Sequence, residues 1–397
     1  MADRPPLPHD PIVVEVRALA ERLALARRYR ELDAHPAFPR EEFRAMGKAG
    51  FLGLRTPIRL GGRELSLPRT GIALFHLGYL GGTTFAKLSL QPEFSSVLAE
   101  HGSESLVQDW FLPLVRGERL VGNQITEPGA GSDAGAIALT AERAGDDYLL
   151  SGTKSEAAFA ADAEAAIVYA RSPDASGTHR ISAFLVPQEL PGIVRSVAGP
   201  DLGERWQRRG TIVYDRVRVP ARHRIGEEGE AFSYVQRELT REHALLAAIY
   251  LGVARASWDE TVEHVGERAA FGKPLAAQEA VAFPLVEDLA RLESAWLYVE
   301  RTLVRLEHGL PSDGDAALAK WLAVDVALRT IDHAIQFHGG RGYSGALPHE
   351  QRWRDVRSGR IAHGPSEIML LVASRRLWPR SGRSPPPAGS PPPGETA

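Results

Sequence analysis

The chain has no cysteine among its 397 residues. That absence excludes disulfides, thiolate metal sites and cysteine nucleophiles at once, and it is compatible with a reducing cytoplasm. A long apolar run is missing as well. No stretch approaches about 18 uninterrupted apolar residues, so nothing reads as a membrane span. Nor is one sign of charge in excess: 47 Lys and Arg stand against 50 Asp and Glu, a formal net charge of −3. Such a balance offers no general field to nucleic acid or to an anionic membrane surface. The stretch from Met1 to Asp10 carries Pro5, Pro6 and Pro8 and no apolar core, so no signal peptide is expected. The expectation is a cytoplasmic protein with no nucleic-acid partner, no membrane span and no metal site.

What is present is the balance of a globular protein, 44% hydrophobic and 24% charged, at a length that fits two or three packed units. Three regimes of periodicity follow one another. From Ile12 to about Val121 the pattern is helical, with Val14, Val16, Leu19, Leu23 and Leu25 apolar among Arg and Glu. From about Gly122 to Gly229 it changes to short runs rich in β-branched and aromatic residues: 148–150, 166–169, 181–186 and 211–214. Gly, Asp and Pro punctuate them. From Ala231 long helices return, with stripes at Leu245, Ile249, Gly252 and Ala256 and at Val324, Leu328, Ile331 and Ile335. The fold class expected is mainly α with a central β domain. Its parts are an N-terminal helical domain over 1–121, a β domain over 122–229, a helical bundle over 230–380 and a disordered Pro-rich tail over 381–397.

Residues 125–133 read Ile-Thr-Glu-Pro-Gly-Ala-Gly-Ser-Asp, a Gly-rich bend whose N–H groups and hydroxyls suit a flavin edge or phosphate. Gly152-Thr153-Lys154 follows a strand, and Val219-Pro220 precedes Gly226. Arg268-Ala269-Ala270-Phe271-Gly272-Lys273-Pro274 follows the first long bundle helix, and Gln336-Phe337-His338-Gly339-Gly340-Arg341-Gly342-Tyr343 ends a later one. Arg354-Asp355 comes after that. In this order, over roughly 12–377, the set resembles the acyl-CoA dehydrogenase family. The resemblance implies a helical domain, a central β-barrel and a four-helix bundle, with FAD as cofactor. The implied partner is an acyl thioester on coenzyme A or on a carrier protein, and the implied state is a homodimer or homotetramer. It names no electron acceptor.

Carried over residue by residue, the resemblance makes Thr126, Gly131 and Ser132 the loop along the flavin and thioester arm. Arg268 and Phe271 become contacts to the pyrophosphate side across a subunit interface, and Gln336, Gly339 and Gly340 the turn under the adenine half. The chemistry implied is removal of an α-proton by a carboxylate while FAD accepts a hydride from the β-carbon. The commonest family position for the base holds His363 here, within Ile361-Ala362-His363-Gly364-Pro365. A second family position, early in the first bundle helix, falls on Glu242, which is the preferred base. His243, beside Glu242, stands where relatives carry an arginine, and with Ser132 it is assigned to the substrate side. Glu156 and Ala158 occupy positions where relatives have a Trp that stacks on the flavin and a Thr that hydrogen-bonds it. Glu279, next to Gln278, and Glu367 are further departures. They leave open a flavin-dependent monooxygenase on the same fold, and a flavin-free relative that binds an acyl partner. A glutamate at 156 is expected to disfavour an anionic reduced flavin.

Overall fold

The computed structural model describes residues 10–173, 179–197, 199–375 and 377–378. The Pro-rich tail expected at 381–397 lies outside the described residues. The N-terminal part is helical: α1 (Pro11–Arg22), α2 (Leu25–Ala34), α3 (Arg40–Lys48) and the long α4 (Leu67–Ser89). Three short helices, α5 (Ser96–His101), α6 (Glu104–Leu106) and α7 (Leu112–Val115), complete it. Local chemistry marks the starts. Asp10 caps α1, its carboxylate accepting from Ile12 N at 2.9 Å, and Pro11 opens the first turn where its missing N–H costs nothing.

The central part is built from β1 (Val121–Gln124), β2 (Thr140–Ala144), β3 (Asp147–Ala157), β4 (Ala165–Pro173), β5 (His179–Pro187), β6 (Ile193–Val197), β7 (Gly210–Pro220) and β8 (Arg224–Ile225). Its path runs β6-β7-β3-β2-β4-β5-β8, with β1 added in parallel beside β4. Tyr148 and Leu150 of β3, Ile212, Tyr214 and Val217 of β7, and Phe184 and Val186 of β5 share one small core. Strands far apart in the path therefore face each other, which requires the sheet to curl. Strand β4 shows why its sequence is apolar without alternation. Ala166, Val168 and Ala170 point into that small core, while Ile167 and Tyr169 join the main core with the helices. A strand buried on both faces needs apolar residues at every step of its two-residue period.

The C-terminal part contains α8 (Ala231–Glu267), then a hairpin of β9 (Ala269–Ala270) and β10 (Lys273–Pro274). The bundle continues with α9 (Glu279–Glu307), α10 (Asp313–His338), α11 (Gly340–Tyr343), α12 (His349–Arg357) and α13 (Ser366–Ser374). No helix among the described residues is long and apolar enough to cross a membrane. All three parts converge on Asp355 of α12, which is 1% exposed. It accepts from Tyr29 Oη of α2 at 2.6 Å, from Thr83 Oγ1 of α4 at 3.2 Å and from the backbone N of Glu204 in the β6–β7 connection at 2.6 Å. The Glu204 carboxylate in turn pairs with buried Lys87 of α4 at 2.5 Å and accepts from Ser358 Oγ at 2.8 Å. Burial pushes the Asp355 carboxyl up to about 7, with the Glu204 charge adding to it.

The N-terminal part and the bundle touch most closely where α4 crosses α8. A Cβ on Gly252 would lie 2.0 Å from the carbonyl oxygen of Phe75, and one on Gly78 would lie 2.6 Å from that of Ile249. Each helix thus admits the other's backbone through a missing side chain. Gly252→Ala tests this contact, because on a free helix the change would stabilise by about 0.5–1 kcal/mol. Here the methyl meets backbone, so a loss of about 1–3 kcal/mol is expected in urea unfolding.

Candidate active site

Glu242, His243 and His363 come together. Glu242 lies in the fourth turn of α8, 2% exposed, and its Oε2 is 2.9 Å from Nδ1 of His363. Burial, reinforced by the nearby Glu93 carboxylate, pushes Glu242 up to about 8. One turn earlier Glu238 is also buried and accepts from Ser96 N at 3.0 Å and Ser96 Oγ at 3.1 Å. It too is held well above the carboxylate range, by burial and then by Glu242. Glu93 has a separate partner, Arg241, at 2.9 Å. Tyr169 of β4 is raised by burial and by Glu238 and Glu242, so the β domain closes the same face.

His363 stands in a loop with left-handed backbone, φ +52° at His363 and +86° at Gly364. Its ring lies 4.9 Å from that of Phe94, centroid to centroid. Nε2 of His243 faces the His363 carbonyl at 2.8 Å, which fixes the proton of His243 on that nitrogen. Desolvation brings both imidazoles down to about 3, with Lys320 adding in each case. Around neutral pH both rings are therefore uncharged. With Glu242 protonated, its O–H donates to Nδ1 of His363. With Glu242 ionised, Nδ1 carries the proton and donates to the carboxylate.

The loop of residues 125–133 belongs to the β domain and is fixed from below. Lys154 of β3, fully buried, pairs with Glu127 at 2.7 Å and donates to the Ile125 carbonyl at 2.9 Å. Glu127 also accepts from Ala138 N at 2.6 Å and Leu139 N at 3.1 Å. Thr126 is tied by its carbonyl to Ser155 N at 3.0 Å. Ser132 is exposed, and a Cβ on Gly131 would meet nothing within 4 Å. Glu156 of β3 does not stand alone: Arg209 pairs with it at 3.2 Å and with Asp201 at 2.6 Å. The charge expected to oppose a reduced flavin is therefore partly offset, an arrangement that depends on a partner 53 positions away. Glu279 and Glu367 are exposed in the first turns of α9 and α13, where a carboxylate favours a helix start.

The remaining sequence-assigned residues lie elsewhere. Arg268 follows Glu242 by 26 positions on one continuous helix, a rise of about 39 Å. Phe271 is 98% exposed at the tip of the β9–β10 hairpin, and Arg268 forms no ion pair among the described residues. The Gln336–Gly340 turn sits at that same end, because His264 of α8 stacks on His338 of α10 at 4.2 Å. Gln336 is exposed, and added Cβ atoms on Gly339 and Gly340 would meet nothing within 4 Å. An unengaged guanidinium, an exposed aromatic ring and two open glycines form a surface that fits a long, phosphate-bearing cofactor.

Sequence reasoning missed Lys320 and Glu238. Lys320 is 1% exposed within a run of buried alanines at 316, 317, 319 and 323, and a charge placed inside an apolar stripe was the available signal. For Glu238 the signal was its spacing of four from Glu242, which puts both on one helix face.

Three family profiles match the chain: the N-terminal domain of acyl-CoA dehydrogenase over residues 9–118, the middle domain over 122–217 and the C-terminal domain over 229–378. The mitochondrial short-chain specific acyl-CoA dehydrogenase of Mus musculus is 32% identical over 355 residues, covering 89% of this chain and 86% of that one. A 3-(aryl)acrylate reductase of Clostridium sporogenes is 30% identical, covering 87% and 92%. The butyryl-CoA dehydrogenase structure from Megasphaera elsdenii superposes with a TM-score of 0.86 at 27% identity, covering 95% and 99%.

The staple under the 125–133 loop is open to a direct test. Lys154→Met leaves Glu127 buried without its cation, so unfolding free energy should fall by about 3–5 kcal/mol. Adding Glu127→Gln to that variant should restore most of the loss, read as a non-additive double-mutant cycle in urea unfolding.

Proposed function

The chain belongs to the acyl-CoA dehydrogenase family, and from that premise we propose an FAD-dependent oxidoreductase that introduces a double bond between the α and β carbons of an acyl thioester. The thioester is carried by coenzyme A or by a carrier protein, and Glu242 is the base. The observation that carries the assignment is the Glu242–His363 contact: a buried carboxylate, shifted up to about 8 and backed by a neutral imidazole. An α-proton beside a thioester is only weakly acidic, and a base whose conjugate acid lies near 8 takes it more readily than an ordinary carboxylate. FAD, when bound, supplies the acceptor for the hydride leaving the β-carbon.

The chain's own groups do the rest. Glu242 receives the α-proton, and His363 Nδ1–H holds the carboxylate in place until it does. The 125–133 loop, stapled by Lys154 and Glu127, lies along the flavin and thioester. Thr126, Gly131 and Ser132 are its working positions, and His243 acts behind His363 through the carbonyl it holds. Two copies complete one site. A hairpin about 39 Å from Glu242 cannot serve the same chain's reaction centre, so Arg268 and Phe271 reach the pyrophosphate of a neighbouring copy, with Gln336, Gly339 and Gly340 under the adenine. The proposed state is thus a homodimer or a tetramer of such pairs. The proposed compartment is the cytoplasm, with which a cysteine-free chain is compatible.

Two measurements check this. In stopped-flow experiments the rate of flavin reduction by an acyl thioester should rise with pH through about 8, because the acting form of Glu242 is the carboxylate. Glu242→Gln should lower it on the order of a thousandfold, the usual scale for losing a general base; a wild-type rate removes the assignment. Arg268→Ala should weaken FAD binding by about tenfold or more, since a charge-assisted phosphate contact is lost, and an unchanged FAD titration refutes the shared site.

A further inference from the structure

Lys320 is the strangest charge in the molecule. Its stem runs through the alanine-lined face of α10, it is 1% exposed, and it forms no ion pair among the described residues. A buried ammonium without a countercharge persists only where every N–H finds an acceptor. Here all three do: Nζ donates to the carbonyls of Ala362 at 2.5 Å, His363 at 2.9 Å and Gly364 at 2.6 Å. Three donors meet three successive acceptors, the full complement of a lysine.

Successive carbonyls of an extended chain point to opposite sides. They converge on one point here because the loop turns through left-handed backbone at His363 and again at Gly364. The first of these is unfavourable for any residue with a Cβ. The same backbone path sends the His363 ring toward Glu242, 2.9 Å away, and against Phe94. The ammonium therefore gathers the carbonyls, the gathered carbonyls set the backbone, and the backbone sets the imidazole.

We propose that Lys320 is a positioning residue for the reaction: by binding the three carbonyls of 362–364 it holds His363 on Glu242. This rests on the reading of Glu242 as the base. The groups that face Lys320 are Lys87 from α4, with Glu204 paired to it, Glu242 and His243 from α8, and His363 from the loop. Burial and Lys87 push Lys320 below the ordinary lysine range, while Glu242 and the three carbonyls that take its protons hold the ammonium form. Reciprocally, Lys320 lowers Glu242 against its burial. Ionising Glu242 and keeping Lys320 charged thus support each other.

The test uses the full chain loaded with FAD, labelled with 15N-histidine, and butyryl-CoA as the probe thioester. In the wild-type chain the His363 ring, identified by its loss in His363→Asn, should show a proton shared between Nδ1 and Glu242. Lys320→Met should lose that signal and slow the maximal rate of flavin reduction on the order of a hundredfold. KM should stay within about twofold, since no substrate contact is removed. The pH midpoint of reduction should move upward, because the cation that lowers Glu242 is gone. Lys320→Arg should recover the signal and the midpoint. If Lys320→Met keeps the shared proton and the midpoint, the proposal is wrong. If Lys320→Met and Lys320→Gln both fail to fold, and Lys320→Arg folds without the shared proton, the lysine is only structural and the proposal is equally overturned. The two readings fail separately. Glu242→Gln at the wild-type rate removes the base assignment, while the histidine spectrum, which needs no turnover, still decides the role of Lys320.

Discussion

The carboxylate of Asp355 is the knot that makes three parts into one molecule. Tyr29 and Thr83 reach it from the N-terminal helices, the Glu204 backbone from the β domain, and its own helix belongs to the bundle. A buried carboxylate is costly to desolvate, and the cost is tolerable only when several donors converge on it. The convergence is what carries geometry: each donor arrives from a different element, so the acceptor has no satisfactory position unless all three are docked. Glu204 and Lys87 extend the knot with a second buried pair, and Lys87 is in turn felt by Lys320 and His363. The Glu242–His363 cluster and the domain junction are thus electrostatically continuous.

That continuity explains an otherwise odd distribution of charge. Around Glu242 the molecule gathers Glu93, Glu238, Arg241, Lys320 and two histidines, with Glu238, Glu242 and Lys320 buried and the others partly so. Left at their ordinary values, these groups would carry several uncompensated charges. Burial instead drives the carboxyls of Glu238 and Glu242 up and the imidazoles down, so most of the cluster is neutral at the same pH. A site arranged this way can hold an apolar acyl chain without a large field and still release one negative charge when the proton must move. Such opposed shifts are the usual mark of an acid–base centre.

Much of this was legible beforehand. The change from helical to strand periodicity near Gly122, and back near Ala231, follows from how each element buries one face or two. The segments at 148–150, 166–169, 181–186 and 211–214 fall inside β3, β4, β5 and β7. Motif order pointed to Glu242 and His363, which the structure places in contact. What could not be read is of one kind: partnerships between residues distant in the chain. Arg209 beside Glu156, Lys154 beneath Glu127 and Lys320 behind His363 leave no local pattern, because the folded path alone brings them together. The glutamate at 156, expected from the resemblance to oppose a reduced flavin, looks disruptive until its guanidinium is known. Positive φ at His363 is equally invisible in a sequence, since it is imposed by the donors around the loop rather than preferred by histidine.

Helix α8 carries Glu242 near its beginning and delivers Arg268 at its end. Both ends share one rigid screw, so the helix acts as a gauge that sets spacing and angle together. Inserting a single residue between them would advance the hairpin by only about 1.5 Å yet rotate it by about 100°. An insertion ahead of Gly252 would also turn the contact with α4 away from Glu242's face. Along this segment most letters can change, but not the count.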